Sequence, residues 1–152
     1  KLRRLERSGS YRFHTVNSSS DLNTALEDFF ALMKDSRQDK AVFLTVEREH
    51  FFRRMGQDLA EAGMLRLFFL EIAGQRVAGA LCFDYGGTRF LYNSGYNPEF
   101  GSLSVGLALK ALCLKQAIED GSDYFDFLRG NERYKYDLGA KDVQLYRLTI
   151  RR

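Results

Sequence analysis

Apolar residues recur every three or four positions in the first part of the chain and every second position in the middle, which predicts helices followed by strands. Leu22, Leu26, Phe29, Phe30 and Met33 share one face of a helix in LNTALEDFFALMK. The polar stretch NSSSD at 17–21 supplies its start, with Ser20 or Asp21 as the cap. Phe51, Phe52, Met55 and Leu59 form the apolar stripe of a second helix. Thr45 caps it, Glu47 and Glu49 lie in its first turn where the helix dipole favours acidic groups, and Gly63 marks its stop. The period then changes to two. MLRLFFLEIAGQRVAGALCFDYGGTRFLYNSGYNP reads as three strands joined by tight turns at Ala73-Gly74-Gln75 and Gly86-Gly87. This antiparallel meander is closed by the single proline, Pro98.

The next segment, SLSVGLALKALCLKQAIEDG, is apolar on most faces, as in a helix buried against a sheet. Ser102 or Ser104 caps it and Gly121 stops it. The strand YFDFL follows, then a short polar helix over 131–138, then a last strand in VQLYRLTI. The order predicts an α/β fold: a mixed sheet with an antiparallel meander, a buried crossover helix and flanking helices. The 152 residues fit one compact domain, and no internal repeat or low-complexity segment interrupts them.

Charge changes this picture only at the N-terminus. Residues 1–12 hold Lys1, Arg3, Arg4, Arg7 and Arg12 against Glu6, so the rest of a chain of net charge +3 is close to neutral. A nucleic-acid binder spreads a basic stripe over its fold; a local cluster reads as an arm or linker, here residues 1–19, and makes nucleic acid an unfavoured partner. No apolar run reaches the length of a membrane span, and KLRRLERSGSYRF lacks the apolar stretch of a secretion signal. Cys82 and Cys113 are expected to be small buried hydrophobes of a reducing cytoplasm, and with His14 and His50 they show no zinc-ligand spacing, so no metal is expected.

The stretch FDFLRGNERYKYDLGA, preceded by LYNSGYNPEF, resembles the GNAT acyltransferases. Within them it is similar to the CelD-like cellulose-biosynthesis acetyltransferases and their FemAB relatives. Asp126, Phe127, Leu128, Arg129, Gly130, Glu132, Tyr134 and Lys135 carry the resemblance, which runs from about residue 20 to the end. It implies a GNAT-like domain over 20–152, with 1–19 as the connection from a first, GNAT-like half of a longer chain. It also implies an acyltransferase using acetyl-CoA or another acyl-CoA on a small amine or sugar-derived acceptor, in polysaccharide or cell-envelope biosynthesis. The alternatives are a catalytically inactive binding half and a FemAB-like transferase that uses aminoacyl-tRNA.

Three places are candidate sites under this resemblance. Ser104, Val105, Gly106, Leu107 and Ala108 enter the buried helix, where unpartnered amides and the dipole suit a pyrophosphate. The family's leading Arg or Gln has no match there, and the alternative is that Ser104 only caps a helix. Tyr92, Asn93, Ser94 and Tyr96 lie on the last meander strand, beside which a GNAT substrate sits at a bulge; alternatively the tyrosines are core. Asp126, Arg129, Tyr134 and Lys135 are the catalytic candidates. Asp126, Glu99 and Tyr134 are candidates for the acid and base, while Arg129 and Lys135 would hold an anion or oxyanion. The alternative is an ion pair from Asp126 to Arg129 or Lys135 that fixes the turn.

Overall fold

The computed structural model describes residues 2–7, 9–16 and 19–151. Helix α1 (Leu2–Arg7) leads into β1 (Tyr11–Val16), followed by three helices, α2 (Ser19–Ser36), α3 (Gln38–Phe43) and α4 (Val46–Glu61). The meander is β2 (Leu65–Ile72), β3 (Gln75–Tyr85) and β4 (Thr88–Tyr96). A 3-10 turn (Pro98–Leu103) then enters α5 (Val105–Glu119), and β5 (Tyr124–Asp126) and α6 (Arg133–Asp137) complete the order. The sheet runs β1-β2-β3-β4-β5, antiparallel except for the parallel pair β4–β5 that the α5 crossover connects.

Both faces of this sheet are covered, which explains the nearly continuous apolar run LRLFFLEI in β2. Leu65, Leu67 and Phe69 pack with Leu22, Leu26, Phe29 and Met33 of α2 and Phe52 of α4. Phe68 and Leu70 face the other way, against Leu109, Leu112 and Cys113 of α5. Cys82 joins that second cluster, so both thiols are buried as expected. The expected turns form at Ala73-Gly74 and Gly86-Gly87, all four residues at positive φ as a two-residue hairpin with the sheet's twist requires. Thr45 caps α4, its side chain accepting from the Arg48 amide at 3.4 Å. Asn17 and Ser18, part of the start expected for α2, lie outside the described residues.

Three elements differ from the sequence reading. Residues of the expected N-terminal arm belong to the fold: β1 pairs along β2 from Tyr11↔Ile72 to Val16↔Leu67, and Leu5 of α1 is fully buried in the α5 cluster. The basic residues Arg3, Arg4 and Arg7 therefore lie on a docked helix. β5 stops at Asp126 instead of running to Leu128. The Asp126 carboxylate accepts the Leu128 amide at 2.6 Å, and Leu128 turns to φ 56°, which no strand accommodates. The last expected strand does not form. Val143, Leu145, Tyr146, Leu148 and Ile150 are all exposed, because a strand needs a partner edge and the three-residue β5 offers none of sufficient length.

Candidate active site

The second half of β4 is where the sheet opens. β4 pairs with β5 only from Thr88↔Tyr124 to Phe90↔Asp126. Beyond Phe90 the two strands have no further paired residues, and a bulge lies at the same point: Cys82 faces Leu91 and Leu81 faces Asn93, so Tyr92 is the extra residue. Gly95 lets α2 cross directly over β4, since a Cβ there would overlap the Leu32 carbonyl carbon and the Met33 amide. A cleft of about 300 Å³ lies at the β4 end, lined by Tyr96, Gly101, Ser104, Val105, Gly106, Leu107, Lys110 and Tyr134.

The floor of this cleft is the first turn of α5. Ser104 is left-handed (φ 55°, ψ 39°), and its side chain makes no capping hydrogen bond, so the reading of Ser104 as a plain helix cap is corrected. Its carbonyl accepts the Leu107 and Ala108 amides at 3.0 and 2.9 Å. The Val105 and Gly106 amides have no acceptor among the described residues. Two adjacent donors thus stand at the positive end of a fifteen-residue helix, an arrangement suited to an anion. Ala108 is buried in the core and takes no part in the lining. Leu103 stands where the family's basic residue is expected, but Arg4 of α1 reaches the same loop, donating to the Ser102 carbonyl at 2.9 Å.

Lys110 is the cationic side chain of the lining. Its ammonium donates to the Gly106 carbonyl at 3.2 Å and lies 4.7 Å from the Tyr134 ring centroid. Burial, with the nearby Lys40 charge, lowers its pKa to about 8. Burial and the Glu132 charge raise the Tyr134 phenol to about 12.

The structure brings the remaining predicted residues together only in part. Lys135 is buried and fully occupied: its three N–H donors face the carbonyls of Leu128 (3.2 Å), Arg129 (2.9 Å) and Gly130 (3.1 Å), with the Glu132 carboxylate at 2.9 Å. The expectation that Lys135 holds a ligand anion is thus corrected, since no donor is left over. The Arg-Gly…Tyr-Lys signature is a clamp on the 128–130 loop, in which Gly130 supplies φ 111°. The expected ion pair of Asp126 with Arg129 or Lys135 is also absent among the described residues; Asp126 and Arg129 are exposed. Glu99 is exposed and its amide is tied to the Asn97 side chain at 2.9 Å, away from the cleft lining.

Tyr96 lines the cleft, whereas Tyr92 sits on the opposite face, its ring edge-on to Phe52 at 5.6 Å. Asn93 and Ser94 hold a residue the sequence did not single out. Lys40 of α3 donates to Asn93 Oδ1 at 3.0 Å and to the Ser94 carbonyl. Lys110 and Arg4 were also missed. Lys110 had a signal, being a lone charge early in an apolar helix; Arg4 and Lys40 had none. A larger cavity, about 520 Å³, lies at the other end of α5, but its charged groups Arg66, Asp84 and Asp120 are paired with one another and with the buried Arg89.

Residues 1–136 match the family of the acetyltransferase (GNAT) domain. The chain belongs to the GNAT acetyltransferases. It is an acetyltransferase by that membership, and its mixed five-stranded sheet with flanking helices is the GNAT fold. Among solved structures, AAC(6')-Iy in complex with a CoA bisubstrate analogue superposes with a TM-score of 0.64 at 16% identity, over 95% of this chain and 99% of that one. The aminoglycoside acetyltransferase meta-AAC0020 from an uncultured soil metagenomic sample gives 0.59 at 13% identity, over 93% and 97%. The ribosomal-protein-S18-alanine N-acetyltransferase from Escherichia coli gives 0.53 at 15%, over 74% and 63%. No curated protein matches the chain in sequence. The expected second GNAT-like half has no counterpart in the first two neighbours, whose chains this one covers almost completely. No helix among the described residues is long and apolar enough to cross a membrane, and no cluster among them could hold a metal ion.

Proposed function

We propose that this GNAT domain transfers an acyl group from acyl-CoA to a primary amine of a small, amino-sugar-like acceptor. The observation that carries the reading is the pair of amides, Val105 and Gly106, that have no acceptor among the described residues and belong to the lining of the cleft beside the splayed strands. These residues fit CoA. The two amides hold its pyrophosphate, and Arg4 adds at the same loop the charge that Leu103 lacks. Tyr96 and Tyr134 flank the pantetheine arm, and the β4 backbone at Asn93–Ser94 orients the acyl end. The thioester supplies an acyl carbon activated for attack by nitrogen.

Lys110 is the better proton donor to the departing thiolate. Its pKa of about 8 lies close to that of a thiol, about 8.5, whereas a phenol at about 12 is too weak an acid for that base. Tyr134 then serves as the wall on which Lys110 rests. Asp126, with one carboxylate oxygen on Leu128 and the other open to solvent, is the candidate base for the incoming ammonium, and exposed Arg129 is the candidate contact for acceptor oxygens. Two of the neighbours are aminoglycoside acetyltransferases, which supports an amino sugar as acceptor. The signature at 126–135 favours one from polysaccharide or cell-envelope chemistry.

The test is thiol release from acetyl-CoA across a panel of amino sugars, amino acids and peptide N-termini. The buried Cys82 and Cys113 keep the protein's own thiol background low. Acceptor-dependent release with an amino sugar is the expected result. Binding of CoA without release for any amine contradicts the proposed acceptor class.

A further inference from the structure

An amine is held on β4 beside the cleft. Lys40 projects from α3 onto β4 just past the Tyr92 bulge, where β4 has lost its pairing with β5. Its Nζ is held by Asn93 Oδ1 at 3.0 Å and by the Ser94 carbonyl, and Asn93 Oδ1 is itself fixed by the Ser94 amide at 2.8 Å. Ser94 is two residues before Tyr96, so Lys40 contacts β4 about 7 Å along the strand from the residue that lines the anion site.

We propose that Lys40 is the protein's own acyl acceptor, modified by the acyl-CoA bound in this cleft. The proposal rests on the acyl-CoA reading above. The Nζ lone pair attacks the thioester carbonyl carbon, the C–S bond breaks, and the proton lost from nitrogen passes through Lys110 or water to the CoA thiolate. The products are an amide on Lys40 and free CoA thiol. No further reactant is needed.

The surroundings ease loss of the Nζ proton. Burial lowers the Lys40 pKa, and the Arg37 charge lowers it further, against opposing contributions from Asp39 and Glu132; Lys110 is the other cation nearby. Attack needs loss of one Nζ proton and release of the two hydrogen bonds. The amide formed is far more stable than a thioester, so Lys40 does not pass the group on. It removes a positive charge from the cleft and ends as a permanent occupant of the Ser94 position. Lys110, whose Nζ is held on the Gly106 carbonyl, serves as proton donor and not as acceptor.

The experiment incubates the folded protein with acetyl-CoA and no added amine, follows intact mass, and maps tryptic peptides with time, while calorimetry on the same sample measures CoA binding. Acetylation blocks cleavage after Lys40 and yields the unbroken peptide from Gln38 to Arg48. Lys40 is expected to react at least about tenfold faster than the exposed Lys115 and Lys141, as positioning beside a bound donor requires. Heat-unfolded protein should show no preference, and Lys40→Arg, which retains the charge and the donors, should lose the early mass gain. CoA binding with Lys40 no faster than the exposed lysines, or with Lys110 modified instead, overturns this proposal and leaves the donor reading intact. No CoA binding overturns both.

Discussion

Tyr96 lies directly over Gly106: a Cβ on residue 106 would meet the tyrosine ring at 3.0 Å. That contact joins the end of β4 to the first turn of α5 and sets the height of the cleft between them. Gly106→Val should push the ring into the cleft and weaken CoA binding by about tenfold or more, roughly 1.4 kcal/mol. Stability should change by less, because the loss in packing is partly offset by removing a helical glycine. Calorimetry and urea denaturation on the same variant separate the two effects.

Arg4 is 98 positions from the carbonyl it contacts, at Ser102. If it stands in for the absent basic residue of the α5 loop, Arg4→Ala should weaken CoA binding about five- to tenfold, the size of one charge-assisted hydrogen bond partly exposed to water. The loss should shrink at high salt. An unchanged dissociation constant would remove Arg4 from the donor site.

Lys110 couples binding to protons. With a pKa of about 8 it is half protonated near that pH, and an anion on the neighbouring amides favours its charged form. CoA binding at pH 8 should therefore take up roughly half a proton, measurable as a dependence of calorimetric heat on buffer ionisation enthalpy. Without ligand the sign is also fixed. The folded pKa lies below the unfolded value near 10.5, so the folded state binds fewer protons between them, and Lys110 makes stability rise as pH rises from about 8 toward 10.5. Lys110→Met should abolish the uptake.

Lys135 serves the fold. Its ammonium gathers three carbonyls of the loop after β5, and Glu132 closes the set; the same contact holds the Glu132 carboxyl below its usual range. Lys135→Met should cost about 2–3 kcal/mol in urea denaturation, since three carbonyls of the loop lose their charged donor. Glu132→Gln should cost less than about 1 kcal/mol, because Glu132 is half exposed.

The parts of the fold legible in the sequence are those that local chemistry dictates. The turns at Ala73-Gly74 and Gly86-Gly87, the Thr45 cap and the buried α5 helix all follow from residues within a few positions of one another. What escaped is set at long range. β1 is a strand only because β2 lies beside it, and Leu5 is core only because α5 covers it. The apolar alternation in VQLYRLTI is real, yet β5 gives it no edge to join. The site divides the same way. The α5 entry was visible as a helix start beside small residues, and the signature at 126–135 was visible as charge. That Lys135 is spent on its own loop and that Lys40 reaches Asn93, 53 positions away, are facts of packing.

The most direct test of the donor site is the amide spectrum of isotopically labelled protein during titration with CoA. The Val105 and Gly106 amides, which lack acceptors among the described residues, should show the largest downfield shifts and saturate together with binding. Saturation by CoA with these two amides unmoved would contradict the placement of the pyrophosphate on α5.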